Sequence, residues 1–128
     1  MKKSAVIAAT IAAVVGASWL PASAAEGNWT GGCFSGRICM WNGNYGASSV
    51  VSSSVNDSNF SGDFFASGTS LNDHVKIVRN NGGPDVFDAR AFTNPSYGGN
   101  ASICIPDGVI VGPYAIGSGN GVSSFTWC

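Results

Sequence analysis

The sequence predicts an all-β fold, and three observations carry that expectation. Beyond residue 25, Gly, Ser and Asn are abundant while Ala, Leu and Glu are scarce, a balance that opposes helix and favours short strands joined by turns. No segment beyond residue 25 carries an apolar stripe at helical spacing. Aromatic residues recur from Trp29 to Trp127 and supply much of a modest core for one domain of about a hundred residues.

Residues 1–25 stand apart from that domain. Lys2 and Lys3 precede the uncharged apolar run Ala5 to Leu20, and Pro21-Ala22-Ser23-Ala24-Ala25 ends it with small residues. This is the pattern of a secretory signal peptide cleaved after Ala24 or Ala25, leaving 26–128 as a single secreted, extracellular domain. The run is short for a membrane span and no stop signal follows, so no membrane association is expected. The domain keeps Arg37, Lys76, Arg79 and Arg90 against Glu26, Asp57, Asp63, Asp73, Asp85, Asp88 and Asp107, and four bases against seven acids leave a net charge of −3. So few bases exclude a phosphate-neutralising surface, and no nucleic-acid partner is expected.

The elements follow in order. Cys33, Cys39, Cys104 and Cys128 make an even count in an exported chain, which implies two disulfides. Four cysteines allow three pairings. The favoured one is Cys33–Cys39, closing a small loop with Ser35-Gly36 as its turn, and Cys104–Cys128, tying the last residue to a strand beginning near Ile103. A zinc site is the weaker alternative, because the Cys33/Cys39 spacing is not that of a zinc knuckle and the only histidine, His74, is distant in sequence. Cys39-Met40-Trp41 begins a strand, Asn42 to Gly46 is a hairpin, and Ser48 to Val55 is β-prone. Asn56 to Asn59 is a turn, and Phe60 to Ser70 is aromatic, Gly-rich and partly irregular. Leu71-Asn72-Asp73 leads into a strand in which Val75, Ile77 and Arg79 alternate with Lys76 and Val78. Asn80-Asn81-Gly82-Gly83-Pro84 is a joint. The second half repeats this order. Phe87 to Phe92 is a strand, Tyr97-Gly98-Gly99 closes a hairpin, and Ala101 to Ile105 is a strand ended by Pro106-Asp107-Gly108. Gly117 to Gly121 is a loop, and Val122 to Trp127 is the last strand.

Phe92, Tyr97 and Gly99 carry the aromatic–four–aromatic–one–glycine spacing of the folded hairpin in βγ-crystallin Greek keys. Val122-Ser123-Ser124-Phe125-Thr126-Trp127-Cys128 resembles the final strand of small secreted bacterial crystallin-like proteins grouped as the metalloproteinase-inhibitor family. Cys33 to Trp41 resembles that family's N-terminal disulfide loop and first strand. The resemblance implies a βγ-crystallin-like β-sandwich of two Greek keys, about 33–80 and about 85–128, with Ser124 bonding the backbone of the Phe92–Gly99 hairpin. The first half departs from the spacing: Trp41 and Tyr45 are one residue too close, Ala47 replaces the second glycine, and Met40 could take the aromatic's place.

The same resemblance raises calcium, bound in this fold by two Asn/Asp, two variable residues, then Ser/Thr and Ser. Asn72 and Asp73 keep the first pair, but Lys76 and Ile77 replace both hydroxyls. Asn120 and Ser123 belong to a second stretch that keeps both serines and lacks the first Asn/Asp. Asn72, Asp73, Asn120 and Ser123 are therefore weak calcium candidates; loss of oxygen ligands and gain of an ammonium disfavour the ion, and no cofactor is expected. Asn72-Asp73 reads better as a turn cap, and His74 as a partly exposed residue at the start of a strand. There is no His-Glu-x-x-His, no Gly-x-Ser-x-Gly and no catalytic set: Asp57 with Asp63, or Asp85 with Asp88, are the only carboxylate pairs to weigh for glycoside hydrolysis, and neither has a partner apparent from sequence. The chain is expected to be a non-enzymatic monomer. The resemblance implies inhibition of a secreted metalloprotease through an exposed loop. The family's reactive bond lies on a disulfide-held loop that this chain lacks, leaving Thr93 to Asn100 and Gly108 to Tyr114 as substitutes. The alternative is a killer-toxin-type or surface-binding module of the same fold, and a third reading is a calcium-stabilised structural protein.

Overall fold

The computed structural model describes residues 26–46, 48–83, 87–112 and 121–128. The signal peptide read over 1–25, and Ala47, Asp85, Tyr114 and Asn120, lie outside them. Among the described residues there is no helix. The strands of the described residues run in the order β1 (Thr30–Gly31), β2 (Arg37–Trp41), β3 (Val50–Ser53), β4 (Ile77–Asn81), β5 (Ala89–Asn94), β6 (Gly98–Ala101), β7 (Ile110–Val111) and β8 (Ser124–Trp127). They form a five-stranded sheet, β1-β3-β2-β4-β7, and a three-stranded sheet, β6-β5-β8, with every pairing antiparallel.

Strand alternation decides what is buried. In β2, Ile38 and Met40 face the sandwich interior with Val51 of β3 and Val78 of β4, while Arg37, Cys39 and Trp41 turn the other way. The opposing sheet sends Ala89, Ala91 and Phe125 inward, and Phe60, Phe65, Leu71, Val75, Ile105 and Val122 fill the space from the connections. Each large apolar side chain so buried contributes about 1.5–3 kcal/mol before entropy is counted. Trp29 packs on this core, meeting Phe60 edge-on at 5.3 Å and Phe125 at 5.6 Å.

The sheets do not coincide with the two halves of the sequence. β7, from the second half, pairs with β4 in the first sheet. In return Asp57, from the first half, bridges Phe125 of β8, and the Phe60 N–H donates to the Ser123 carbonyl. Each half thus completes the other's sheet, and Cys33–Cys39 and Cys104–Cys128 are both bridged, with Cα separations of 5.3 and 6.1 Å.

Three sequence expectations need correction. The strand expected over Ala101 to Ile105 ends at Ala101, and Ile105 keeps only an isolated bridge to Ala89. The Ser102 hydroxyl accepts from the Ala91 N–H at 3.0 Å, so a side chain replaces a ladder bond. Asn56 to Asn59 is not only a turn, because Asp57 carries the bridge to β8. Met40 does not replace an aromatic in the first hairpin: it lies in the core with no exposed surface, and Trp41, on the opposite face, packs on Tyr45 at 4.8 Å.

Candidate functional site

The β5–β6 hairpin is the most closely specified loop of the described chain. Pro95 follows Asn94 at the turn, Ser96 and Tyr97 both take left-handed φ of 56° and 58°, and Gly99 follows at 73°. Two consecutive non-glycine residues in that region are costly and must be held by their surroundings. They are. Ser124 Oγ donates to the Asn94 carbonyl at 2.7 Å and accepts from the Tyr97 N–H at 3.2 Å. The Ser96 N–H donates to the Ser58 carbonyl at 2.7 Å, and the Asn100 N–H to Thr93 Oγ1 at 2.9 Å. Phe92 and Tyr97 pack with ring centroids 5.6 Å apart, tilted by 59°. Only glycine fits at 99, because a Cβ there would run into Thr93 Oγ1 and come within 2.8 Å of the Asn94 side chain. The hairpin folds back over the sheet, yet Asn94, Pro95, Ser96 and Tyr97 remain exposed.

The second expected loop begins at Gly108. Val109 and Ile110 are exposed, and the Asn80 N–H donates to the Val109 carbonyl at 3.1 Å. The sequence places Asn80 and Asn81 in the joint between the halves, whereas both complete β4, paired with Ile38 and Arg37 of β2. Asn80 is fully buried, donates through Nδ2 to the carbonyls of Ile105 at 2.8 Å and Phe87 at 3.2 Å, and accepts the Gly82 N–H through Oδ1 at 2.9 Å. Its side chain joins both halves of the chain, and no pattern in Asn80-Asn81-Gly82 marks it as buried.

The calcium candidates are partly brought together. Asp73, at φ 62°, accepts from Ser123 Oγ at 3.0 Å through Oδ1 and from Asn72 Nδ2 at 2.8 Å through Oδ2. The Asp73 N–H donates to the Val122 carbonyl at 3.1 Å, and Gly121 packs so closely on the Asp73 backbone that any Cβ there would collide with it. Calcium asks for six to eight oxygens turned towards one point. Here both oxygens of the one carboxylate take protons from a hydroxyl and an amide, and the amide presents N–H where a ligand oxygen would be needed. Among the described residues no group of three or more His, Cys, Asp or Glu could hold a metal ion. The described members of the set, Asn72, Asp73 and Ser123, do not fit calcium; they fit a cap that fastens the approach to β4 to the residues before β8. His74 is exposed, with Nδ1 2.8 Å from the Asn72 carbonyl.

Of the carboxylate pairs, Asp57 and Asp63 are neighbours. Asp57 has no exposed surface and accepts from Trp29 Nε1 at 2.6 Å and from the Asn59 N–H at 2.9 Å. Burial, then the charge of Asp57 and a hydrogen bond with it, and lastly the charge of Glu26, push the Asp63 carboxyl up to about 6. Burial and Asp57 also push the Tyr97 phenol up. A carboxylate with no exposed surface cannot meet a substrate, so the pair does not form a hydrolytic site. The sequence marks Asp57 only as part of the Asn56 to Asn59 turn, which its bond to the Asn59 N–H bears out, and nothing local signals its burial or the indole partner 28 residues earlier.

No protein-family model matches the chain, and no curated protein matches it. Among solved structures, one described under the evolution of the eye lens βγ-crystallin domain fold superposes over 78% of this chain and 96% of its own, with 19% identity and a TM-score of 0.61. That likeness, with two sheets exchanging strands between halves and a folded hairpin pinned by a serine, establishes that the chain adopts the βγ-crystallin fold.

Proposed function

We propose that the chain is a secreted binding protein of the metalloproteinase-inhibitor type, built as two interlocked Greek keys, that engages an extracellular metalloprotease through the Asn94–Tyr97 tip. The observation that carries this reading is the combination of exposure and restraint at the tip: four successive exposed residues, two in costly left-handed conformations, held by the bonds to Ser124 and Ser58. A loop already fixed before binding loses little conformational entropy on docking, so more of its contact energy appears as affinity. Tyr97 supplies the kind of aromatic anchor that interfaces use. Two disulfides in one domain suit an oxidising, extracellular compartment.

The test is inhibition of thermolysin-like enzymes by the purified protein. Dose-dependent inhibition is expected, weakened about tenfold or more by Tyr97→Ala with the fold intact, the scale of a lost anchor. No inhibition at micromolar excess removes the reading for that enzyme class. A second reading, a surface-binding module, draws on Phe87 and Ile103, which are 70% and 66% exposed. Growth tests on fungi and competing bacteria with Phe87→Ser and Ile103→Ser variants separate the two.

A further inference from the structure

The chain holds three Asn-Gly pairs, at 42–43, 81–82 and 120–121, and one Asp-Gly pair, at 107–108. Such pairs are chemically labile, because glycine has no Cβ to shield its backbone nitrogen from the preceding side-chain carbonyl. Whether the nitrogen reaches that carbonyl depends on how firmly the peptide between them is held. Asn120 lies outside the described residues, and the other pairs are held very differently.

The peptide between Asn81 and Gly82 is fastened at both of its polar groups. The Asn81 carbonyl accepts from the Gly36 N–H at 2.7 Å, and the Gly82 N–H donates to Asn80 Oδ1 at 2.9 Å. Gly82 is buried, and Asn81 is held in β4 opposite Arg37. At 107–108 the Gly108 N–H donates to the Asn80 carbonyl at 2.7 Å. The buried Asn80 thus holds both glycine nitrogens, one with its side chain and one with its backbone. A nitrogen bonded in this way cannot turn onto a neighbouring carbon until the structure opens locally.

The peptide between Asn42 and Gly43 has no such fastening. It lies just beyond β2, where the chain leaves the sheet, and residues 44–46 after it are exposed. The Asn42 carbonyl, the Asn42 side chain and the Gly43 N–H bond to no described residue; only the Asn42 N–H is held, donating to the Ser49 carbonyl at 3.3 Å. Packing nevertheless requires glycine here. A Cβ at 43 would stand 3.1 Å from Ser48 Oγ and 3.2 Å from Ser48 Cβ, closer than ordinary contact. The Ser48 hydroxyl itself donates to the Asn44 carbonyl at 2.7 Å.

We propose that Asn42 is a self-modification site, at which the folded domain exchanges a side-chain amide for a carboxylate while Asn81 is spared. The Gly43 nitrogen attacks Asn42 Cγ. The new Cγ–N bond forms, the Cγ–Nδ2 bond breaks, and Nδ2 leaves as ammonia with the hydrogen that the Gly43 nitrogen gives up. Water then opens the resulting succinimide at either carbonyl and leaves aspartate or isoaspartate at position 42. The step needs no enzyme and no oxidant. It takes the domain's net charge from −3 to −4, and the isoaspartate product adds a methylene to the backbone of the connection between β2 and β3. It uses no residue of the Asn94–Tyr97 tip, so it stands or falls independently of the protease reading.

The test is incubation of the disulfide-bonded domain in oxygen-18 water at mildly alkaline pH, then reduction, trypsin digestion in ordinary water and mass spectrometry. Cleavage at Arg37, Lys76, Arg79 and Arg90 places the two pairs in separate fragments, 38–76 and 80–90. In the folded domain we expect fragment 38–76 to take up labelled oxygen at position 42 at least about tenfold faster than fragment 80–90 does at 81, the scale on which closed structure protects a backbone nitrogen. In the domain reduced and unfolded in urea, where the folded structure no longer distinguishes the pairs, the two rates become alike. Asn42→Gln, whose longer side chain closes the ring far more slowly, removes the uptake from 38–76. Equal rates in the folded domain, faster uptake at 81, or no uptake at 42 while the unfolded chain converts each overturns the proposal. Undiminished uptake in 38–76 of Asn42→Gln does the same. If that variant does not fold, fragmentation of the labelled 38–76 peptide from the unaltered protein still locates the oxygen.

Discussion

Ser124 shows how one short side chain can set the shape of a loop. Its hydroxyl has one proton and two lone pairs, and here it gives the proton to the Asn94 carbonyl and takes the Tyr97 N–H, both across the hairpin. Serine at this position has no exposed surface, so water cannot take over when the hydroxyl is removed. Ser124→Ala is therefore expected to cost about 2 kcal/mol, the scale of leaving a buried polar group unpaired. Thr126→Ala, two residues along β8, removes only a bond to the neighbouring Trp127 carbonyl and is expected to stay within about 0.5 kcal/mol. Urea denaturation of the two variants checks the contrast, and equal losses would show that the hairpin is held by ring packing instead. The hairpin was legible in the sequence because Phe92, Tyr97 and Gly99 act locally, through spacing and backbone conformation. Asp57 and Asn80 were not, because their partners lie on other elements: the Asp57 carboxylate is satisfied by Trp29, and the Asn80 side chain by Phe87 and Ile105. A buried polar residue and a turn residue look alike in sequence, and only the assembled fold tells them apart. Met40 carries a related lesson. Its distance from Tyr45 suits a hairpin pair, but strand alternation points it into the core and gives the pairing to Trp41.

At the scale of elements, the two disulfides restrain very different lengths of chain. Cys33–Cys39 spans a sequence separation of 6 and Cys104–Cys128 one of 24. In the chain-entropy account, a bridge stabilises by removing freedom from the unfolded chain, and the gain grows with the logarithm of the loop. That gives about 2 kcal/mol for the short bridge and about 3.5 kcal/mol for the long one. Paired replacements, Cys33→Ala with Cys39→Ala and Cys104→Ala with Cys128→Ala, should differ by roughly 1 kcal/mol or more in that order. The long bridge carries a second load. The Cys128 N–H donates to the Asp88 carbonyl at 2.6 Å, so the bridge holds the end of β8 beside the approach to β5. A larger loss from the short bridge would mean that its loop, where the Arg37 guanidinium lies 6.0 Å from the Phe34 ring centre, matters through native contacts rather than chain entropy. The strands themselves were legible where β-prone residues gather, as at Cys39-Met40-Trp41 in β2 and Ile77-Val78 in β4. Legibility failed after β6, where the Ser102 hydroxyl takes the place of a backbone partner and turns a β-prone run into an irregular connection.

For the whole molecule, the exchange of strands between halves has an energetic consequence. A reading of the chain as two successive Greek keys suggests two units, each able to bury its own apolar face. The pairing denies them that independence. Without β7 the first half leaves the β4 edge open, and without Asp57 and Phe60 the second half loses the backbone partners of Phe125 and Ser123. The core is shared in the same way, since Phe60 and Trp29 from the first half pack on Phe125 from the second. Either half alone would expose apolar surface and unpaired backbone together, and a domain this small has little stability to spare. Unfolding is therefore expected to be a single cooperative transition, with the Trp41 environment in the first half and the Trp127 environment in the second lost at the same denaturant concentration. Single-tryptophan variants, in which the other indoles are replaced by Phe, separate the two signals. Because Trp29 bonds Asp57 through its indole, its replacement will lower the common midpoint, but it should lower it equally for both probes. A peptide of residues 85–128 with its disulfide formed is expected to lack the amide protection of β5 and β8 seen in the complete domain. Two separated midpoints, or a protected β5–β8 pair in that peptide, would show that the halves hold themselves together and that the exchanged strands only join two finished units.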